Sequence, residues 1–259
     1  MKNKTYKPNK RNFLNKWGAY SLSILIWICI WHVSASIIDN EIFLPTPSSV
    51  LNVLFQDLLP SDIFWTSLFT SLVHICTGFI IGGIIGIILA ILASINSLIE
   101  AFIWFPVKII KSVPVASFVI LVLLWLDSDD LAVFIPAMIV LPALYINTLT
   151  GIEQTNEKLL DMTKLFNVPF SRRILHVYIP NIIPYTLSAS SIAMGMAWKA
   201  GVAAEIIGLA KNSIGNELYK AKIYLLTPEL FAWTIVIVAL SILCEGVLKL
   251  LVKLINQNT

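Results

Sequence analysis

Apolar residues fall in long, nearly unbroken runs along this chain rather than at the spacing of half-buried surface helices. An α-helix needs about 20 apolar residues to cross roughly 30 Å of hydrocarbon. Six segments reach or approach that length: 18–38, 64–93, 102–126, 132–150, 181–209 and 230–254. The third is interrupted by Pro106, Lys108, Lys111 and Pro114, which predicts a kinked segment with its first half near the interface. The fifth carries Lys199 and Glu205 and is the most polar. After the first run, Leu44-Pro45-Thr46-Pro47-Ser48 leads into Val50, Leu51, Val53, Leu54 and Leu58. That pattern predicts a short amphipathic helix on the outer face, capped by Ser48 or Ser49. The expected fold is all-α: a polytopic transmembrane helical bundle with a tail at 1–17, a membrane domain at 18–254 and a second tail at 255–259.

Composition agrees and narrows the class. The chain is 58% hydrophobic and 13% charged, with a mean hydropathy of +0.84. A soluble domain keeps roughly a quarter of its residues charged, so most of this exterior must face lipid. Lys2, Lys4, Lys7, Lys10, Arg11 and Lys16 precede the first run with no acid among them. Beside a membrane span such a cluster sets orientation and touches anionic lipid, rather than binding nucleic acid. Ser34-Ala35-Ser36 could mark a signal-peptide cleavage site, but the run from 17 to 38 is too long for a signal core and other spans follow. It reads as an uncleaved first span. With the N-terminus cytoplasmic, 14 of the 18 basic residues lie in inner connections. Asp39, Glu41, Asp57 and Asp62 fill the first outer connection, and Asp127, Asp129 and Asp130 the second. Lys211, Lys220 and Lys222 break the pattern in the third. Trp17 and Trp104 would mark the inner interface, and Trp31, Trp65, Trp125 and Trp233 the outer. Both termini are therefore expected on the cytoplasmic side of the membrane.

Residues 151–180 form the long cytoplasmic connection. Leu159, Leu160, Met162, Leu165 and Phe166 recur at helical spacing, with Lys158, Asp161 and Lys164 on the other side. Asn167 can end that helix in the left-handed conformation, and Val168, preceding Pro169, is pushed toward extended geometry. A second short helix through Ser171, Arg172, Arg173, Ile174 and Leu175 is expected to close at Ile179-Pro180. Two short helices around a rigid bend would form a knob for a soluble partner. An ordinary interfacial loop is the bland alternative.

The residues here resemble a known family. Asp161-Met162-Thr163, Asn167, Val177, Ile179 and Pro180 match the spacing of the EAA motif of ABC importer permeases. The motif's Glu is Asp here, its two alanines are Met-Thr, its Gly is Asn, its first Ile is Val and its Leu is Ile. Phe43-Leu44-Pro45-Thr46-Pro47-Ser48-Ser49-Val50, Lys111-Ser112-Val113-Pro114, Ala203-Ala204-Glu205 and Ile214-Gly215 resemble further blocks of the nitrate/sulfonate/taurine subfamily, in the same order. The resemblance implies the type I importer permease (MetI-like) fold, with the EAA loop as the coupling helix that docks on an ATPase. It also implies a pair of permease copies, here expected as a homodimer, an ATPase subunit dimer beneath them and an extracytoplasmic substrate-binding protein. The solute would be small and anionic or zwitterionic, or a vitamin precursor. The chain has no Gly-x-x-x-x-Gly-Lys-Ser/Thr loop, so ATP and Mg belong to the partner and the chain itself is no enzyme.

Ionisable residues at membrane depth are costly and mark functional sites by default. Lys199 and Glu205 are six positions apart, on different sides of a helix, so they do not pair directly. Lys199 could meet an anionic substrate or form an ion pair between helices or subunits; Glu205 reads as structural or as part of a gate. Gly78, Gly82 and Gly86 form a small-residue ridge for close packing, either within one subunit or between two. His74 reads as a satisfied polar residue, and Pro136 and Pro142 as kinks. Cys29, Cys76 and Cys244 lie in apolar runs and read as small hydrophobes. A secondary transporter or channel would show repeats with ion sites, and a membrane enzyme a catalytic cluster. Neither is visible, and His32, His74 and His176 lie in unrelated segments, so no metal site is expected.

Overall fold

The computed structural model describes the backbone of residues 10–257 and side chains from Gly18 to Leu250. The expected tails 1–17 and 255–259 lie wholly outside those described side chains. Eleven α-helices and two π-helical turns build the described chain, with no strand among the described residues. Helix α1 is Lys10–Ile38. Helix α2, Pro47–Asn52, runs on through a π turn at Val53–Leu58. Then come α3 (Asp62–Ile95), α4 (Ser97–Ser112), α5 (Val115–Val122) and α6 (Ser128–Glu153). Helix α7 is Glu157–Leu165 and α8 is Phe170–Arg173, followed by a π turn at Ile174–Tyr178. Helices α9 (Ile179–Gly208), α10 (Ile214–Ile223) and α11 (Thr227–Gln257) complete the chain.

Among the described residues, four helices are long and apolar enough to span a bilayer: α1 from Gly18, α3, α6 and α11 as far as Leu250. The other two expected spans differ from the sequence reading. Segment 102–126 is not one kinked helix but two, α4 and α5, bent by 105° at their junction. The break falls where Val113, extended at ψ 131°, precedes Pro114. A residue before proline is driven out of the α region, so this proline ends the helix, while Pro106 stays inside α4. Segment 181–209 is one helix, α9, and its 30 residues would reach about 45 Å. Its Lys, Glu and run of small polar residues leave it less apolar than the other four, as expected of a helix covered by protein.

α6 is the axis of the bundle, with α3 and α9 packed along most of its length. Close approach on the α3 side is made by the glycine ridge. A methyl at Gly78 would overlap the carbonyl of Val133, one at Gly82 the carbonyl of Ala137, and one at Gly86 would lie 2.6 Å from that of Leu141. Pro136 wedges between Gly78 of α3 and Gly201 of α9. Lipid tails are as apolar as leucine, so such backbone-to-backbone packing, rather than hydrophobic exclusion, holds membrane helices together.

The main apolar core joins α2, α3, α9, α10 and α11 around Trp198, Trp233, Ile75, Ile214 and Val50, all essentially buried. Trp233 thus stacks on Phe64 at 5.3 Å inside the fold instead of marking an interface. The short helix after α1 is capped by Thr46, not Ser48 or Ser49: its Oγ1 accepts the N–H of Ser49 at 3.2 Å. Pro47 explains the shift, because its fixed φ suits the first helical position. Val50, Leu54 and Leu58 are buried, so this element plugs into the bundle. Helix α1 is exposed along most of its length and joins the rest through buried Ala35 and Trp31, whose Nε1 donates to Pro45 O at 3.0 Å.

Candidate coupling knob and pathway helix

α7 is capped at its start by Asn156, whose Oδ1 accepts the N–H of Lys158 at 3.0 Å, and its last turn is closed by Phe166 and Asn167. Asn167 has φ 50°, the left-handed geometry expected from its sequence context. Its N–H donates to Lys164 O at 3.1 Å and that of Val168 to Thr163 O at 2.9 Å. These two bonds make a Schellman closure, which satisfies the last free carbonyls of α7 and turns the chain sharply. Pro169 then caps α8, and Arg173 Nη2 donates back across the bend to Val168 O at 3.4 Å. Thr163 is buried with its hydroxyl on Leu160 O at 2.7 Å, while Asp161 pairs with Lys164 in the open at 3.1 Å. That exposed pair contributes little stability.

Ile179-Pro180 does not close the second helix as expected from sequence. The π turn runs straight into α9, with Pro180 near its start. The widened turn lies shortly ahead of Pro180, which has no N–H to donate to the helical ladder. Asn181, for which the sequence carried no signal, ties the base of the knob together: its Nδ2 donates to Gly151 O at 2.7 Å and reaches Thr155 Oγ1 at 3.2 Å. Above that base, Met162, Leu165, Phe166, Phe170 and Leu175 are all exposed. Val177 lines a cavity of about 280 Å³ together with Thr155, Leu159, His176, Pro180 and Asn181.

The two ionisable residues of α9 have opposite environments. Glu205 is completely buried. Its Oε2 accepts from Ser71 Oγ at 2.7 Å and from the N–H of Gly215 at 3.1 Å, and Oε1 lies 3.3 Å from His74 Nδ1. Ser71 Oγ in turn accepts the N–H of Ile214 at 2.9 Å, and Ser213 Oγ accepts that of Asn216 at 3.1 Å. The first turn of α10, whose donors have no partner within the helix, is thus satisfied by α3, α9 and its own cap. Gly215 is required here, because a Cβ would overlap that of Glu205 and press on the α9 backbone. His74 is a member of this network, a contact of 131 residues' separation that spacing alone could not reveal.

Lys199 points the other way. It is exposed and has no ion pair among the described residues. It shares a stripe of α9 with Ser188, Ile192 and Met196, all exposed, and with Gly195, where an added methyl would meet nothing within 4 Å. The opposite face of α9 is buried through Ala193, Ala197, Ala200 and Ala204. Among the described residues no group of His, Cys, Asp and Glu could hold a metal ion.

Residues 82–259 match the family described as binding-protein-dependent transport system inner membrane component. Over 95% of its length the chain is 25% identical to a Bacillus subtilis permease protein named for aliphatic sulfonates transport, covering 88% of that protein. The Escherichia coli protein of the same name is 30% identical over 88% of this chain and 86% of its own length. A nitrate import permease protein of Synechococcus elongatus is 24% identical over 78% of this chain and 75% of its own. With an all-helical bundle, several apolar spans and a match over most of its length, the chain belongs to the binding-protein-dependent transport system inner membrane component family.

Proposed function

We propose that this chain is the pathway-forming subunit of an importer for a small anion, driven by a separate ATPase that docks on the α7–α8 knob. The observation that carries the reading is the cluster of large apolar side chains exposed on that knob, Leu165 and Phe166 foremost. In a hydrophilic connection such a cluster marks a surface for a protein partner. The knob is also held in place by the Asn167 closure and by the bond of Asn181, at the start of α9, to Gly151 of α6, so a push on it would reach both α6 and α9. The coupling residues are Asp161, Met162, Thr163, Asn167 and Pro169 of the knob, with Val177 in the π turn and Ile179 and Pro180 at the start of α9 carrying its movement into the bundle.

A second copy of the chain would face the open stripe of α9, and the solute would pass between the two. Lys199 is then a cation lining the route, suited to a sulfonate or nitrate ion of the kind named for the relatives. Glu205 holds α10 against α3 and α9, where it would serve as a latch at the opposite end from the knob. The orientation with the knob cytoplasmic rests on the basic bias of the connections. Transport in proteoliposomes containing the permease, its ATPase and its binding protein tests the pathway. Lys199→Met should abolish solute-stimulated uptake while the ATPase still co-purifies. Unchanged uptake would remove Lys199 from the pathway.

A further inference from the structure

A cavity of about 580 Å³ opens between α4 and the last turns of α6, and no residue of the α9 stripe lines it. Four charged side chains line it: Glu100, Lys108 and Lys111 from α4, and Glu153 from α6. No ion pair joins any of them among the described residues. Trp104 and the buried Tyr145 form its aromatic wall.

Its depth follows from α6. No charged residue lies between Asp130 and Glu153, a rise of about 35 Å, close to the hydrocarbon thickness. Glu153 therefore sits at a bilayer interface, and the cavity with it, at the end of α6 that leads into the knob. α4 is built for such a position. Its Leu98, Phe102, Phe105 and Ile109 form an exposed apolar face beside the charged one, and Ile103 and Val107 a buried face. The bend of 105° to α5 sets its axis apart from that of its neighbour.

We propose that this cavity binds the head group of a membrane phospholipid that carries both a phosphate and a primary ammonium. Lys108 and Lys111 supply the cations for a tetrahedral phosphate, and Glu100 and Glu153 the carboxylates for an N–H donor. Two charges of each sign match a zwitterion better than an anionic lipid. A quaternary ammonium fits less well: it has no N–H to donate, and the face of Trp104 that would attract it is already occupied by Lys108 Nζ, 4.3 Å from the ring centroid. The acyl chains would lie along the apolar face of α4.

The test is native mass spectrometry of the full chain in mixed micelles with phosphatidylethanolamine, phosphatidylcholine or phosphatidylglycerol of identical acyl chains. The wild type should retain one phosphatidylethanolamine with a preference of about tenfold over each of the others. Lys108→Gln/Lys111→Gln should lose that retained lipid, and Glu100→Gln/Glu153→Gln should lose the discrimination against phosphatidylcholine. Both pairs are on the surface of the cavity, and size-exclusion profiles would verify that they fold. Equal retention of the three lipids, or unchanged selectivity in either double variant, would overturn the proposal. So would displacement of the lipid by equimolar free phosphoethanolamine, which would make the site one for a soluble zwitterion.

Discussion

Asn167 stands where glycine would be the ordinary choice, at φ 50° in the Schellman closure of α7. Asparagine tolerates this region because its short polar side chain can bond locally. Asn167→Gly should leave ATPase binding and transport near wild type. Asn167→Val should cost about 1–2 kcal/mol at this position and lower solute-stimulated ATP hydrolysis, with membrane abundance unchanged. The asparagine was readable from sequence because Asn tolerates the left-handed region and stands at the glycine position of the EAA pattern; Leu209 and Leu225, at φ 57° in the same kind of closure, were not. The reason is that among the described residues no glycine has positive φ. Gly208, one residue before the left-handed Leu209, lies inside α9 against Leu131, where a Cβ would sit 2.8 Å from its side chain. Glycine in this chain makes room between helices, so its usual meaning as a turn signal fails. Glu205 yields a second expectation. Glu205→Gln can keep an oxygen on Ser71 and Gly215 and should retain the melting temperature in detergent. Glu205→Ala leaves the Gly215 N–H buried without its acceptor, a loss of about 1–3 kcal/mol. Equal melting of the two variants would contradict the network.

Among the helices, hydrophobic runs were a good guide to position because a bilayer imposes a minimum length on any apolar span. In segment 102–126 the prolines and lysines pointed to a kink but not to its size: at Val113-Pro114 the helix ends outright and the chain turns by 105°. Nor could the apolar runs tell which partner the glycine ridge of α3 meets, since close packing inside a subunit and between subunits uses the same residues. The structure sets the ridge against α6. A side chain at Gly82 would collide with backbone atoms of Ala137, which cannot swing aside as a side-chain tip could. Gly82→Val should therefore force α3 from α6 and destroy the monodisperse peak in fluorescence-detected size exclusion. Gly246→Val, on α11 with nothing within 4 Å, should be tolerated. A normal elution profile for Gly82→Val would show that the two helices are not packed as described.

For the protein as a unit, the class was legible from composition and ordered sequence blocks, while the long-range partnerships were not. Ser71, His74, Glu205 and Gly215 are scattered over three helices and meet only through the fold. The knob lies between these extremes: its helices and its bend follow from local pattern, and its exposed apolar crown became visible only once Thr163 was seen to occupy the buried side. An ATPase seated on this crown is what would make the bundle an importer rather than a passive pore. Co-purification from membranes, with the permease tagged and its ATPase subunit coexpressed, measures that contact. Wild-type permease should bring the ATPase down, and Leu165→Asp/Phe166→Asp should reduce recovery about tenfold or more at equal permease abundance. Undiminished recovery with the double variant would contradict docking on the crown and place the ATPase contact elsewhere on the chain.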